Sequence, residues 1–252
     1  MKILRLGSSD DVGGRVAADA MAYRIVEQEL TRITGLEFTT VVRRIWPTSA
    51  LPGLVERWMD EERPDVVFIK AAPAFWFTYE SVPLKVRRKL GVVGQPLAEF
   101  GVRTSRNPWL VRNRAYHAAR RMAQRVIGGD THFTPEEVVA VMSQVLAVAA
   151  RYEQAVTVAT LPQGRVKHAV TAAGERRAEA RRRRVEAALG SEMDRLHIEH
   201  TEPHPAARYQ TGTSTPVGRD QLHSDEVGQR QRAAEEVELL LRGLRRAGVV
   251  LA

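Results

Sequence analysis

Cysteine is missing from all 252 residues of the chain. Its absence excludes disulfide bridges, thiolate metal sites and cysteine-based catalysis, and it fits a reducing compartment. No apolar run approaches the roughly 20 residues that a membrane span requires, so no membrane is expected as a partner. A basic-then-apolar leader is also lacking. Met1-Lys2-Ile3-Leu4-Arg5-Leu6 enters a strand pattern at once, so no signal peptide is read and the expected location is cytoplasmic. Internal repeats are absent, and nothing marks an oligomeric state. The net charge of +8 invites nucleic acid as a partner. The excess, however, sits largely in one run, Arg176, Arg177, Arg181, Arg182, Arg183 and Arg184, interleaved with Glu175, Glu179 and Glu186. Arginines at these spacings surround a helix instead of lining one face, and no aromatic residue interrupts them to stack on bases. A solvated basic helix is the reading, and nucleic acid is not expected.

The composition, 44% hydrophobic and 27% charged, is that of a globular chain able to bury a core in one large domain or two small ones. Strand and helix patterns alternate. Met1–Leu6 reads as a strand, followed by a helical pattern that runs over Asp19–Thr34 and is stopped by Gly35. Glu37–Trp46 is a second strand and Leu51–Glu62 a helix broken by Pro64-Asp65. The short apolar run Val66–Ile69 fits a central strand buried on both faces. Residues 71–130 are less regular, with short helices over Leu84–Leu90 and Arg112–Ile127. Thr134-Pro135-Glu136-Glu137 starts a helix running to about Tyr152. Ala155–Leu161 is a fourth strand, Ala173–Arg195 a helix, Leu196–His200 a fifth strand, and Ser224–Arg246 a last helix. Such alternation predicts an open parallel sheet with helices on both faces and ligands past the carboxyl ends of its strands. A single domain over 1–252 is expected, with a possible cap insertion at about 71–130.

Two stretches carry candidate chemistry. Gly7-Ser8-Ser9-Asp10-Asp11 follows the first strand. A serine on such a turn is a common nucleophile position, because N–H groups at a helix start stabilise developing negative charge. The same residue types also make ordinary turns and caps. Asp220-Gln221-Leu222-His223 precedes the last helix. An acid three residues before a histidine can orient the imidazole and leave its other nitrogen free to take a proton from a hydroxyl. Polar turn residues give the same pattern.

Gly7-Ser8-Ser9 with Gly13, together with Asp220-x-x-His223 before the last helix, resembles the SGNH, or GDSL-type, hydrolase superfamily, and the resemblance spans nearly the whole chain. It implies a three-layer α/β/α flavodoxin-like fold with a five-stranded parallel sheet. It also implies a serine esterase or deacylase acting on a small acyl ester or thioester, with no metal or organic cofactor. By position, Ser9 matches the nucleophile, His223 the general base and Asp220 the residue orienting it, and the Ser9 amide one oxyanion donor. The family's second-block glycine falls near Thr48, whose backbone N–H serves equally if the turn is kept. Two departures stand out. Ser8 occupies the family's Asp position, and the third-block Gly-x-Asn falls on Ala72-Pro73-Ala74, so Ala74 removes the side-chain oxyanion donor. Lys70, Ser49 and Asn107 are candidate replacements. The same triad would serve an acyltransferase, and the two departures would suit a catalytically inactive binding protein.

The remaining candidates are weaker. Asp10 and Asp11 are adjacent acids that point apart, which suits a turn better than a metal. His197 and His200 face opposite sides of an alternating strand, so with His204 they are not read as a metal cluster. Arg103, Arg106, Arg112 and Arg114 would hold an anionic substrate or form plain surface.

Overall fold

The five strands form one sheet in the order β2-β1-β3-β4-β5, with every neighbouring pair parallel. In the computed structural model these are β1 (Lys2–Gly7), β2 (Thr39–Arg44), β3 (Val66–Lys70), β4 (Val156–Thr160) and β5 (Glu199–His200). The structure describes residues 1–11, 16–91, 96, 99, 114–162, 171–203 and 225–249. The helices are α1 (Ala22–Thr34), α2 (Leu51–Glu62), α3 (Phe75–Thr78), α4 (Arg114–Ile127), α5 (Pro135–Ala150), α6 (Ala172–Arg195) and α7 (Glu226–Arg246). The expected three-layer α/β/α flavodoxin-like architecture is therefore the observed one.

The layers follow from the spacing of apolar residues. In α1, Ala22, Val26 and Leu30 are buried one turn apart and meet Ile3, Val66, Phe68 and Val158 of the sheet and Ala233, Val237, Leu240 and Leu244 of α7. Burying a side chain such as Leu30 contributes about 1.5–3 kcal/mol, more than its helix propensity supplies. Gly35 ends α1 in the left-handed conformation, φ 71°, and its N–H bonds the Thr31 carbonyl at 2.9 Å. In α2, Leu51, Val55 and Met59 are buried in the same one-turn rhythm. The end of α5 grips α2, the Tyr152 hydroxyl donating to Asp60 at 2.6 Å. β3 is buried along its whole length, as its continuous apolar run requires, whereas β2 is half exposed at the sheet edge.

The fifth strand differs from its sequence pattern. Leu196 and His197 belong to the end of α6. His197 takes a φ of 56°, its N–H bonds Asp194 O at 3.1 Å, and the Ile198 N–H reaches Met193 O at 2.9 Å. This is a Schellman cap, and its closing hydrophobic residue imitates strand alternation. Only Glu199–His200 pairs with β4.

Gly243 of α7 lies where a methyl group would drive into a Cγ of Val158. Val158 is β-branched and stands on a buried strand, so it cannot swing aside. Gly243→Ala is expected to overpack this contact by about 1–3 kcal/mol. Roughly 1 kcal/mol returns through helix propensity. A thermal melt is expected to show Tm lowered by up to about 8 °C; a higher Tm would contradict this packing.

By packing, the chain divides into two units: Met1–Pro73, Glu137–Gln163 and Val185–Ala252 form the first, and Ala74–Glu136 with Gly164–Arg184 the second. Within the second, Glu80 is a hub. Its carbonyl accepts from Gln124 at 2.9 Å, and its carboxylate accepts from Arg177 at 3.2 Å and Arg181 at 3.2 Å. Arg182 and Arg183 pair with Glu179, and Arg184 with Glu136. Burial opposes the Glu179 charge, but hydrogen bonds from Arg182 and Arg183 outweigh it and hold the carboxyl below its ordinary pKa. The arginine run is thus not a bare solvated face: carboxylates answer five of its members, and Arg182 is buried.

Candidate active site

β1 leaves the sheet through α1 toward β2 on one side, while the chain next returns to β3 on the other. The crevice past β1 and β3 is the topological switch point, where open α/β sheets bind ligands. The turn Ser9–Asp11 stands there as one turn of 3-10 helix, closed by the Asp11 N–H on Ser8 O at 3.0 Å. Ser9 is exposed. The neighbouring loop is held beside it, because the Ile45 N–H donates to Gly7 O at 2.9 Å and Gly7 pairs in register with Arg44. That loop carries Thr48, also exposed. Its N–H donates to the Trp46 carbonyl at 2.7 Å within its own turn.

Below Ser9 lies a cluster of buried charges. Arg5, in the middle of β1, donates to Asp11 from Nε at 2.9 Å and Nη2 at 2.8 Å. It also donates to both Glu236 oxygens, at 2.8 and 2.7 Å. Its guanidinium stacks 4.4 Å above the Phe68 ring. The Lys70 ammonium, arriving from the end of β3, meets the two Asp11 oxygens at 2.8 and 2.7 Å, and Arg232 of α7 reaches Oδ1 at 3.4 Å. Asp11 also accepts the Ser8 N–H at 2.8 Å. Burial disfavours both charges, yet each is outweighed by its partners. Arg5 and Arg232 hold Asp11 below the usual carboxylate range, and Asp11 and Glu236 hold Arg5 above its ordinary pKa.

Gly7 makes this approach possible. A Cβ there would stand 2.6 Å from Asp11 Oδ2, well inside van der Waals contact. Asp11 thereby brings a carboxylate to Ser8, the position at which the motif departs from the family.

The last helix is tied to the same place. Asp225 caps α7, accepting the Gly228 N–H at 2.9 Å. The Gln229 side chain accepts the Ala22 N–H at 3.1 Å, satisfying a first-turn donor of α1. Glu236 meets Arg5 in mid-strand, and Arg232, one turn nearer the helix start, meets Asp11 past the strand end. The axis of α7 therefore climbs toward the carboxyl edge as it runs back to Asp225.

Asp220 and His223 lie outside the described residues, as do Asn107 and His204. So do Arg103, Arg106 and Arg112, and the side chains of Asp10 and Arg114. Of the candidate replacements for the missing donor, Lys70 is committed to Asp11, and Ser49 is an exposed turn residue. Ala74 is buried and opens α3. His200 contacts Asp194 and the Thr201 carbonyl, and no three His, Asp or Glu among the described residues are grouped to hold a metal. No described helix is long and apolar enough to cross a membrane.

Sequence reasoning missed Arg5, Arg232 and Glu236, and gave Asp11 only a turn role. The available signal was charge at core positions: Arg5 between Leu4 and Leu6, and Arg232 and Glu236 on the face of α7 that carries Ala233, Val237 and Leu240.

No protein-family model matches the chain, and no curated protein matches it in sequence. Its fold is shared with solved proteins, two esterases among them. The psychrotrophic esterase EstA from Pseudoalteromonas sp., in a form inhibited by monoethylphosphonate, superposes with a TM-score of 0.55 at 8% identity, covering 97% of this chain and 98% of that one. TesA gives a TM-score of 0.55 at 11% identity, covering 98% and 99%. The acetyl xylan esterase AlAXEase gives 0.52 at 10% identity, covering 94% and 98%. The likeness to these solved structures is one of fold, and it runs over nearly the full chain.

Proposed function

We propose that the chain is an SGNH-type serine hydrolase, a single hydrolase domain with an insertion at about 71–130, that cleaves a small acyl ester or thioester. The observation that carries this reading is the exposed Ser9 at the switch point, joined through Asp11 and Arg232 to the helix that follows Asp220-x-x-His223. His223 precedes Asp225 by two residues, a link of at most about 7 Å, so the base is tethered to the start of that helix. In the proposed reaction Ser9 Oγ attacks the acyl carbon while His223, oriented by Asp220, takes the hydroxyl proton. The oxyanion rests on the Ser9 N–H and, once it leaves the Trp46 carbonyl, the Thr48 N–H. Collapse expels the alcohol or thiol with the proton from His223, and water then releases the acid from the acyl-enzyme. An alcohol or amine in place of that water would make the same site an acyltransferase, which product analysis with an added acceptor distinguishes.

A second reading, an inactive binding protein of the same fold, is favoured by Ala74 and by the engaged Thr48 amide. A fluorophosphonate probe separates the two. The hydrolase is expected to gain one adduct, mapped by peptide mass to Ser9. An intact chain that stays unlabelled would favour the binding protein.

A further inference from the structure

The buried charges beneath Ser9 do more than fill a core. Asp11 receives the Ser8 N–H, so its carboxylate sets the backbone that presents Ser9. The same carboxylate receives Arg232 from α7, the helix whose cap, Asp225, follows His223 by two residues. Arg5 and Lys70 fix it from β1 and β3, leaving it little freedom to move. We propose that Asp11 and Arg232 are positioning residues of the hydrolase site: one carboxylate sets both the turn of the nucleophile and the register of the helix that follows the base in sequence. Neither touches substrate, and the inference rests on the proposed hydrolase function.

The geometry predicts a division of effects. Misplacing a nucleophile and its base by about 1 Å costs on the order of 100-fold in rate, while substrate binding by the rest of the site is unaltered. Arg232→Gln removes the longest of the cationic contacts to Asp11 and leaves Arg5 and Lys70 in place, so this variant is expected to fold. It is expected to lower kcat for p-nitrophenyl acetate about 100-fold with KM within about twofold, and to slow fluorophosphonate labelling of Ser9 in parallel. Arg232→Lys, which keeps the cation, is expected to recover most of the loss. Asp11→Asn is expected to show the same kcat-against-KM split. Val55→Ala, which opens a cavity under α2, controls for stability alone and is expected to keep wild-type kcat.

Folded Arg232→Gln with kcat within twofold of wild type would overturn the proposal. So would an equal loss in Arg232→Lys and Arg232→Gln, or a loss in Val55→Ala as large as theirs. Failure of the hydrolase reading has a different signature, a wild-type chain that neither labels at Ser9 nor turns over the ester.

Discussion

Ser9→Ala is expected to remove turnover of an activated short-chain ester by about 10³–10⁴-fold while the fold persists. The size follows from two opposing terms. Serine hydrolases stripped of one triad member lose up to about 10⁶ in kcat, because nucleophile and base act as a unit. Here the family's side-chain oxyanion donor falls on Ala74, and such a donor is worth about 100–1000-fold. The wild type therefore starts lower and has less to lose. For the same reason His223→Ala is expected to match Ser9→Ala, and the double variant to fall no further. Ser9 is exposed on a surface turn, so alanine there is expected to leave Tm within about 1 °C. Steady-state hydrolysis of p-nitrophenyl acetate and a thermal melt decide the matter. Wild-type turnover in either single variant would end the mechanism.

What the sequence made legible is what hydrophobic periodicity controls. Leu51–Glu62 is legible to its boundaries because Leu51, Val55 and Met59 recur at one-turn intervals and Pro64 forbids continuation. β3 was legible because a strand covered on both faces must be apolar without interruption. The alternation of the elements then implied the parallel sheet, and the sheet implied the edge on which the first and last loops would meet. The fifth strand is shorter than its pattern because a helix cap and a strand both place a hydrophobic residue after a polar one. The charged cluster stayed hidden for another reason. An arginine at a core position is legible only with its partners, and Arg5 finds Glu236 across 231 positions of sequence. Asp11 looked like a cap because caps and buried counter-ions use the same residue. Only the convergence of β1, β3 and α7 distinguishes the two. The motifs of Ser9 and His223 draw attention to the proposed reacting groups, whereas the fold shows what holds the turn in shape.

Asp11→Ala is expected to destabilise the fold strongly. It strips Arg5, Lys70, Arg232 and the Ser8 N–H of one shared acceptor and leaves Glu236 as the remaining carboxylate of the described cluster. Breaking a buried ion pair from one side costs about 3–5 kcal/mol, since the stranded charge keeps its desolvation penalty. Against a total stability of about 5–15 kcal/mol, that is a large share. At neutral pH Tm is expected to fall by about 6–20 °C. The pH dependence identifies the cause. The folded state holds the Asp11 carboxyl below its ordinary pKa, so the ionised form stabilises the protein. That stabilisation is fully present above the unfolded-state pKa of about 3.9 and is lost as pH falls through the lower folded value. Arg5, held protonated above its ordinary range, keeps its charge throughout. The Tm gap between wild type and Asp11→Ala is therefore expected to stay constant from neutral pH to about 5 and to close in stronger acid. Taking the difference cancels every other carboxylate that titrates alike in both proteins. A gap that persists undiminished down to pH 3 would mean that the Asp11 charge is not what binds the cluster, and that Glu236 alone anchors Arg5.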